Sequence, residues 1–343
     1  MTEILKISLD APEHEKVEAA ARIIKNGGLV AFPTETVYGL GADATDELAA
    51  KKIYAAKGRP SDNPLIIHVA HPEDAEKYAY TNQLYYKLAK AFMPGPLTII
   101  LPKKDIIPAS VTGGLDSVAI RCPAHPIASA IIEASNTAIA APSANLSGSP
   151  SPTCAEHVIA DMNGRAEMII DGGACEIGLE STIVKITENS ALLLRPGAIT
   201  YDALLCVCEK VEISPAVTEQ LAQGERPLSP GMKYRHYAPA AKLVLLDGDS
   251  ADVLEYMKKA QENENCAIIC YDEDSRALKQ KNLISIGAKD DLEAQAKTLF
   301  SALRASDDFN VDVIYAHLPS KEGIGLALYN RMIRAAAHTI KKV

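Results

Sequence analysis

The chain has 343 residues, of which 48% are apolar and 23% charged, proportions that exclude a disordered segment and fit a globular protein of about two domains. Its 35 basic and 44 acidic residues leave a net charge of −9, which weighs against a protein held mainly by nonspecific attraction to nucleic acid or membrane surface. No apolar run of about 18 residues is present, and Met1 to Asp10 lacks the apolar core of a signal peptide, so no membrane span and a cytoplasmic place are expected.

In chain order, Glu13 to Asn26 predicts a helix, with Val17, Ala20, Ala21 and Ile24 on one face and Gly27 as its stop. Leu29 to Phe32 reads as a short buried strand. Asp46 to Ala56 reads as a helix, Leu65 to Val69 as a strand, and Asn82 to Phe92 as a helix ended by Pro94-Gly95-Pro96. Leu97 to Leu101, Val118 to Cys122, Ala138 to Ala141, Met168 to Asp171, Ser181 to Ile186 and Ala191 to Arg195 follow as strands. So many short strands with Gly/Pro-rich joints predict a large mixed sheet with packed helices.

From Val211 to Ala240 regular signals thin out, and the stretch from Arg226 to Pro239 is rich in proline, aromatic and basic residues. Proline removes backbone donors, so an irregular segment is expected there, one that docks instead of merely spacing. Beyond it, strands Leu243 to Leu246, Ala267 to Tyr271, Leu283 to Ile286 and Val311 to Ala316 alternate with helices near Asp252 to Ala260, Leu292 to Ala305 and Gly325 to Ala337. That alternation predicts a small, mainly parallel α/β domain. The expected division is 1–206, an irregular linker 207–240 docking over a cleft, and 241–343.

The chemistry-bearing motifs are weak one by one. Gly39-Leu40-Gly41-Ala42-Asp43-Ala44 matches a dinucleotide-binding pattern, but Pro33 breaks the strand before it and no acidic residue closes Leu65 to Val69; a glycine-rich strand or turn is the better reading. Lys57-Gly58-Arg59-Pro60 leaves a helix and is followed by Asn63-Pro64. Lysine and arginine at a helix C-terminus are ordinarily dipole partners, yet the two prolines hold a planar cation and an amide at fixed spacing, as phosphate and adenosine recognition needs. Pro142-Ser143-Ala144-Asn145 follows an apolar strand, where α/β sheets place ligands. Arg121 and Arg195 end strands beside polar breaks, and such cations in an acidic chain make a local site for anions. His68 ends an apolar strand. Its bland reading is a core histidine, and no metal-binding histidine spacing accompanies it. Seven cysteines without paired CxxC spacing read as reduced thiols.

Taken in order, Phe32-Pro33-Thr34-Glu35-Thr36-Val37-Tyr38-Gly39-Leu40, Lys57-Gly58-Arg59-Pro60, Asn63-Pro64-Leu65, Pro94-Gly95-Pro96-Leu97-Thr98, Ala141-Pro142-Ser143-Ala144-Asn145, Glu180-Ser181-Thr182 and Arg195-Pro196-Gly197 resemble the YrdC-like threonylcarbamoyl-AMP synthases. The segment from Ser229 to Pro239 and the α/β tail resemble the longer, two-domain form. The resemblance implies a twisted open mixed sheet with helices, a concave cleft, and a smaller Rossmann-like C-terminal domain. It implies synthesis of L-threonylcarbamoyl-adenylate and pyrophosphate from L-threonine, bicarbonate and ATP, with Mg²⁺ carried on the phosphates. A separate transferase would then take the product to tRNA, beside the anticodon; weak tRNA or RNA binding is a further expectation, although the acidic balance counts against a broad RNA-tracking surface. Residue by residue, the resemblance assigns Thr36, His68, Arg121, Ala141 and Ser181 to threonine. It assigns Arg59, Asn63, Ser117, Ser143, Ser151, Arg195 and Tyr234 to ATP, with Lys57, Arg59, Ser143 and Asn145 as the central polar set. Thr34 and Thr36 lie one pleat apart on an expected strand, so either can fill the threonine position. Competing readings are an RNA-binding module using the same cleft without chemistry, and a nicotinamide-dependent oxidoreductase resting on the glycine pattern.

Overall fold

A computed structural model describes residues 1–219 and 236–343. It divides into two compact units. The first holds Met1–Ser147, Ser151–Glu176 and 180–219; the second holds Gly148–Pro150, Ile177–Leu179 and 236–343. No helix among the described residues is long and apolar enough to cross a membrane.

The first unit is built on an open eleven-stranded mixed sheet. From one edge to the other its strands are Glu3–Lys6, Met168–Asp171, Val30–Phe32, Gly39–Asp43, Ile139–Ala140, Ile66–His68, Ser117–Arg121, Leu97–Pro102, Thr182–Ile186, Ser190–Arg195 and Lys210–Ile213. Helix His14–Lys25 buries Val17, Ala20, Ala21 and Ile24, the i, i+3, i+4, i+7 set read from its sequence. Together with helix Pro126–Ser135 it covers Val30, Phe32, Ile139, Met168 and Ile170. Directly paired residues share a sheet face. The register Ile139↔His68↔Arg121↔Thr98 therefore carries that face onward across the sheet. There the floor is apolar, made of Ile66, Ile100, Ala119, Ile183 and Leu194, with Ala216 against it.

Of three readings, the first, a glycine-rich strand or turn at 39–44, holds, and two change. Gly39–Asp43 is a strand bonded on both edges, antiparallel to Val30–Phe32 and to Ile139–Ala140. Its backbone donors belong to a ladder and not to a phosphate-binding turn, so the oxidoreductase reading loses its only feature. A Cβ on Gly41 would stand 2.5 Å from the Phe32 ring and 2.7 Å from Ile139, which makes this glycine a packing residue. Second, the expected linker 207–240 is not irregular throughout: Lys210–Ile213 pairs parallel with Ser190–Arg195 and closes the sheet edge. Third, the chain leaves strand geometry after Phe32, so Thr34 and Thr36 lie on a turn and not on a strand.

The second unit carries a five-stranded, all-parallel sheet in the order Leu283–Ser285, Cys266–Cys270, Val313–His317, Lys242–Asp247, Ile340–Lys342. Helix Leu292–Ala305 has the bounds read from sequence; helices Ser250–Asn263 and Gly325–Ala335 differ from theirs by a few residues. Val244, Leu246, Val253, Met257, Ile268 and Tyr315 form a core of its own.

Candidate active site

Two helix ends place the polar groups of the Lys57 region. Asp46 caps helix Glu47–Lys57 by accepting from the Leu48 N–H at 2.8 Å, and Gly58 ends it at φ +61°. That left-handed turn, natural for glycine, lets the Arg59 N–H close on Tyr54 O at 2.9 Å. It sends Lys57 inward and Arg59 onto the following loop. The Lys57 ammonium, 2% exposed, donates to the carbonyls of Ser143 and Asn145. Half-buried Arg59 donates from Nη2 to Pro64 O at 3.1 Å and, more weakly, to Asn63 O. Lys57, expected in the central polar set with Arg59, Ser143 and Asn145, lies against two of those residues, and its ammonium pins the 143–145 turn. Within that turn the Ser143 hydroxyl donates to Asn145 Oδ1. Gly39 bridges Ser143, and the Ala144 N–H reaches Tyr38 O at 2.8 Å, tying the turn to the 36–40 segment.

The second group lies along the shared sheet row. Arg121, 4% exposed, donates from Nη1 to Thr36 Oγ1 at 2.9 Å and from Nε to Gly95 O at 3.4 Å. Its Nη2 stands 2.7 Å from Glu35 Oε1 as an ion pair, without the alignment of a hydrogen bond. Thr34 turns its hydroxyl into its own loop, donating to Val37 O at 2.6 Å, and lies 2.9 Å from the Thr36 hydroxyl. Thr36 is therefore the hydroxyl that meets Arg121. His68 is Arg121's direct strand neighbour. Burial, reinforced by the Arg121 charge, pushes the His68 imidazole down to about 3, so the ring is neutral near pH 7.

Next along the row, the Thr98 and Ser181 hydroxyls lie 2.7 Å apart. Arg195 donates from Nε to Ser181 O at 3.0 Å and from Nη2 to Ser181 Oγ at 3.1 Å. Ser151 donates to Glu180 Oε1 at 2.6 Å. Buried Ala141 sends its N–H to Ile66 O at 2.9 Å. Ser117 shares the Arg121 face but begins the same strand, four residues away, or about 13 Å at strand rise. It lies toward the 62–65 loop, where the Leu65 N–H bonds Val111 O. Thr36, His68 and Arg121 thus gather at one end of strand Ser117–Arg121, while Ser117 begins its other end, on the side of the loop whose Asn63 and Pro64 carbonyls Arg59 holds. Tyr234, assigned to ATP, lies outside the described residues.

Sequence reading passed over Glu35, Thr98 and His125. Glu35 and Thr98 stand inside the quoted motifs; Thr98 carried the signal of a polar residue amid apolar neighbours, whereas Glu35, between two threonines, carried none. His125 lies 8% exposed before helix Pro126–Ser135, and burial lowers it to about 4 against the pull of Glu35. Burial pushes the Cys122 and Cys175 thiols up to about 12, and Glu35 adds to both. Neither is a thiolate nucleophile at neutral pH. All seven cysteines are unpaired. Among the described residues no three His, Cys, Asp or Glu side chains converge to hold a metal.

The family model described as telomere recombination, covering Sua5, YciO and YrdC, matches residues 22–197. The model described as threonylcarbamoyl-AMP synthase, C-terminal domain, matches 199–337. The chain is 46% identical over 340 residues to the threonylcarbamoyl-AMP synthase of Pyrococcus abyssi, covering 96% of this chain and 97% of that one. It is 44% identical to the Bacillus subtilis enzyme of the same name, covering 94% and 93%. The crystal structure of P. abyssi Sua5 complexed with L-threonine superposes with a TM-score of 0.92 at 44% identity, covering 100% of both chains. E. coli YciO, at 24% identity, TM-score 0.53 and 57% of this chain, shares the fold of the larger unit.

Proposed function

The chain belongs to the threonylcarbamoyl-AMP synthase family, and from that premise we propose how its cleft divides the work. The enzyme makes L-threonylcarbamoyl-adenylate and pyrophosphate from L-threonine, bicarbonate and ATP. The threonine ammonium releases a proton, and the free amine nitrogen then bonds to the carbon of bicarbonate with loss of water. The resulting carbamate oxygen then attacks the α-phosphorus as pyrophosphate leaves. Three anionic reactants repel one another, so placement and charge neutralisation carry most of the rate.

The observation that carries the assignment is the buried cluster of Arg121, Thr36 and His68 at one end of strand Ser117–Arg121, with Ser117 at its other end toward the loop that Arg59 holds. Arg121 takes the threonine carboxylate, with Thr36, His68, Ala141 and Ser181 around it. Arg59, Asn63, Ser117, Ser143, Ser151 and Arg195 take ATP, and Tyr234 joins them on the family resemblance alone. Lys57 acts through Ser143 and Asn145, whose carbonyls it holds. Magnesium on a triphosphate keeps most of its waters. Hydroxyls such as Ser143 and Ser151, with no carboxylate cage among the described residues, suit an ion held chiefly by phosphate, which would shield the developing negative charge. The product passes to a tRNA-modifying transferase, and weak direct contact with RNA completes the reading. Seven unpaired thiols suit the reducing cytoplasm.

The test is pyrophosphate release from ATP by the full chain. Release is expected only with threonine and bicarbonate both present. Release that ignores either one refutes the reading.

A further inference from the structure

Among the described residues, five buried side-chain polar atoms that lack a hydrogen-bond partner belong to one neighbourhood: Glu35 Oε1 and Oε2, Arg121 Nη2, His68 Nδ1 and His125 Nδ1. Buried polar groups are nearly always satisfied, so such a concentration calls for an explanation. Arg121 is already oriented by Thr36 and Gly95. Glu35 adds no aligned hydrogen bond to that arrangement, only charge, 2.7 Å from the guanidinium. Glu35 and Arg121 are each only 4% exposed, so little water screens them. The two histidines are neutral near pH 7, which leaves one negative and one positive charge in the neighbourhood.

We propose that Glu35 is a specificity-determining residue that makes the threonine pocket accept the zwitterion of an α-amino acid and reject the same carboxylate without its ammonium. The proposal rests on the assignment of Arg121 to the threonine carboxylate. An unopposed buried arginine would attract any carboxylate. With Glu35 beside it, a bare carboxylate leaves the site with an uncompensated buried negative charge, which is costly. A zwitterion leaves it neutral, and its ammonium offers donors to a carboxylate that has none. Glu35 thereby filters out hydroxy acids that share the shape of threonine.

The test measures binding to the full-length protein by calorimetry without ATP, using L-threonine and (R)-3-hydroxybutyrate, which is threonine lacking its amine. The wild type is expected to prefer threonine by at least about tenfold, the scale of one partly screened charge interaction. Glu35→Gln keeps the shape and removes the charge; it should narrow that preference by about tenfold, partly by binding 3-hydroxybutyrate more tightly. Glu35→Asp keeps the charge and should keep the preference. Equal weakening of both ligands by Glu35→Gln means a structural role and overturns the proposal. Equal affinity of the wild type for both ligands overturns it even if no variant folds. Arg121→Gln separates the two layers. If it spares threonine binding, the underlying assignment fails. If it abolishes binding while Glu35→Gln leaves the preference unchanged, only the Glu35 proposal fails.

Discussion

Arg59 holds its own loop by two backbone carbonyls, those of Asn63 and Pro64, and is only partly buried. Arg59→Ala should abolish adenylate formation, and Arg59→Lys should be nearly as poor, because a point charge cannot replace a planar fork. Pyrophosphate release is the readout, with the melting temperature expected to fall by only a few degrees. Wild-type turnover in either variant would remove Arg59 from the site. The buried histidines make a separate prediction. His68 and His125 are held at about 3 and about 4 in the fold, while an unfolded histidine titrates near 6.5. The unfolded chain therefore binds more protons below that value. The stability these groups contribute is complete above pH 6.5 and declines as pH falls toward 4. The slope for two protons approaches about 2.7 kcal/mol per pH unit. Urea midpoints at pH 7 and pH 5 measure it, and replacing both histidines with asparagine should flatten the difference. A midpoint equally steep in that double variant would assign the acid sensitivity elsewhere.

At the scale of elements, Gly41 tests whether the glycine pattern is packing or chemistry. With Phe32 and Ile139 closer than 3 Å to a new methyl group, Gly41→Ala should destabilise the first unit by about 1–3 kcal/mol. The KM for ATP should stay unchanged in the fraction that folds. A rise in that KM at full stability would restore a nucleotide role to the strand. The same strand shows what sequence could and could not convey. Helix His14–Lys25 was legible because its apolar residues repeat every three to four positions above a polar face. Helix Pro126–Ser135 was not, because Ile127, Ala128, Ile131 and Ile132 are buried in a segment with little polar face to set a period. Glu3–Lys6 and Lys210–Ile213 are largely exposed edge strands, and their pairing is decided by distant partners. In the site, Arg121 and His68 were legible as polar ends of apolar runs. Glu35 was not, because its meaning depends on the Arg121 guanidinium, 86 positions along the chain, standing 2.7 Å away.

For the whole molecule, two units with separate cores predict separable folding. A fragment spanning 236–343 should give native-like far-ultraviolet dichroism and a cooperative thermal transition of its own, because the residues around Val244, Met257 and Ile268 pack within it. A fragment without a transition would show that this core needs the rest of the chain. The first unit carries a different constraint, one of timing. Strand Met168–Asp171 lies between Glu3–Lys6 and Val30–Phe32 and is parallel to both. A ribosome adding about 5–20 residues per second needs about 7 to 27 seconds to travel from Phe32 to Met168. Throughout that interval the apolar flank of Val30 and Ala31 has no strand on one side. The nascent chain therefore displays an unfinished sheet edge to every passing chaperone, and the rate of translation sets how long that invitation stays open.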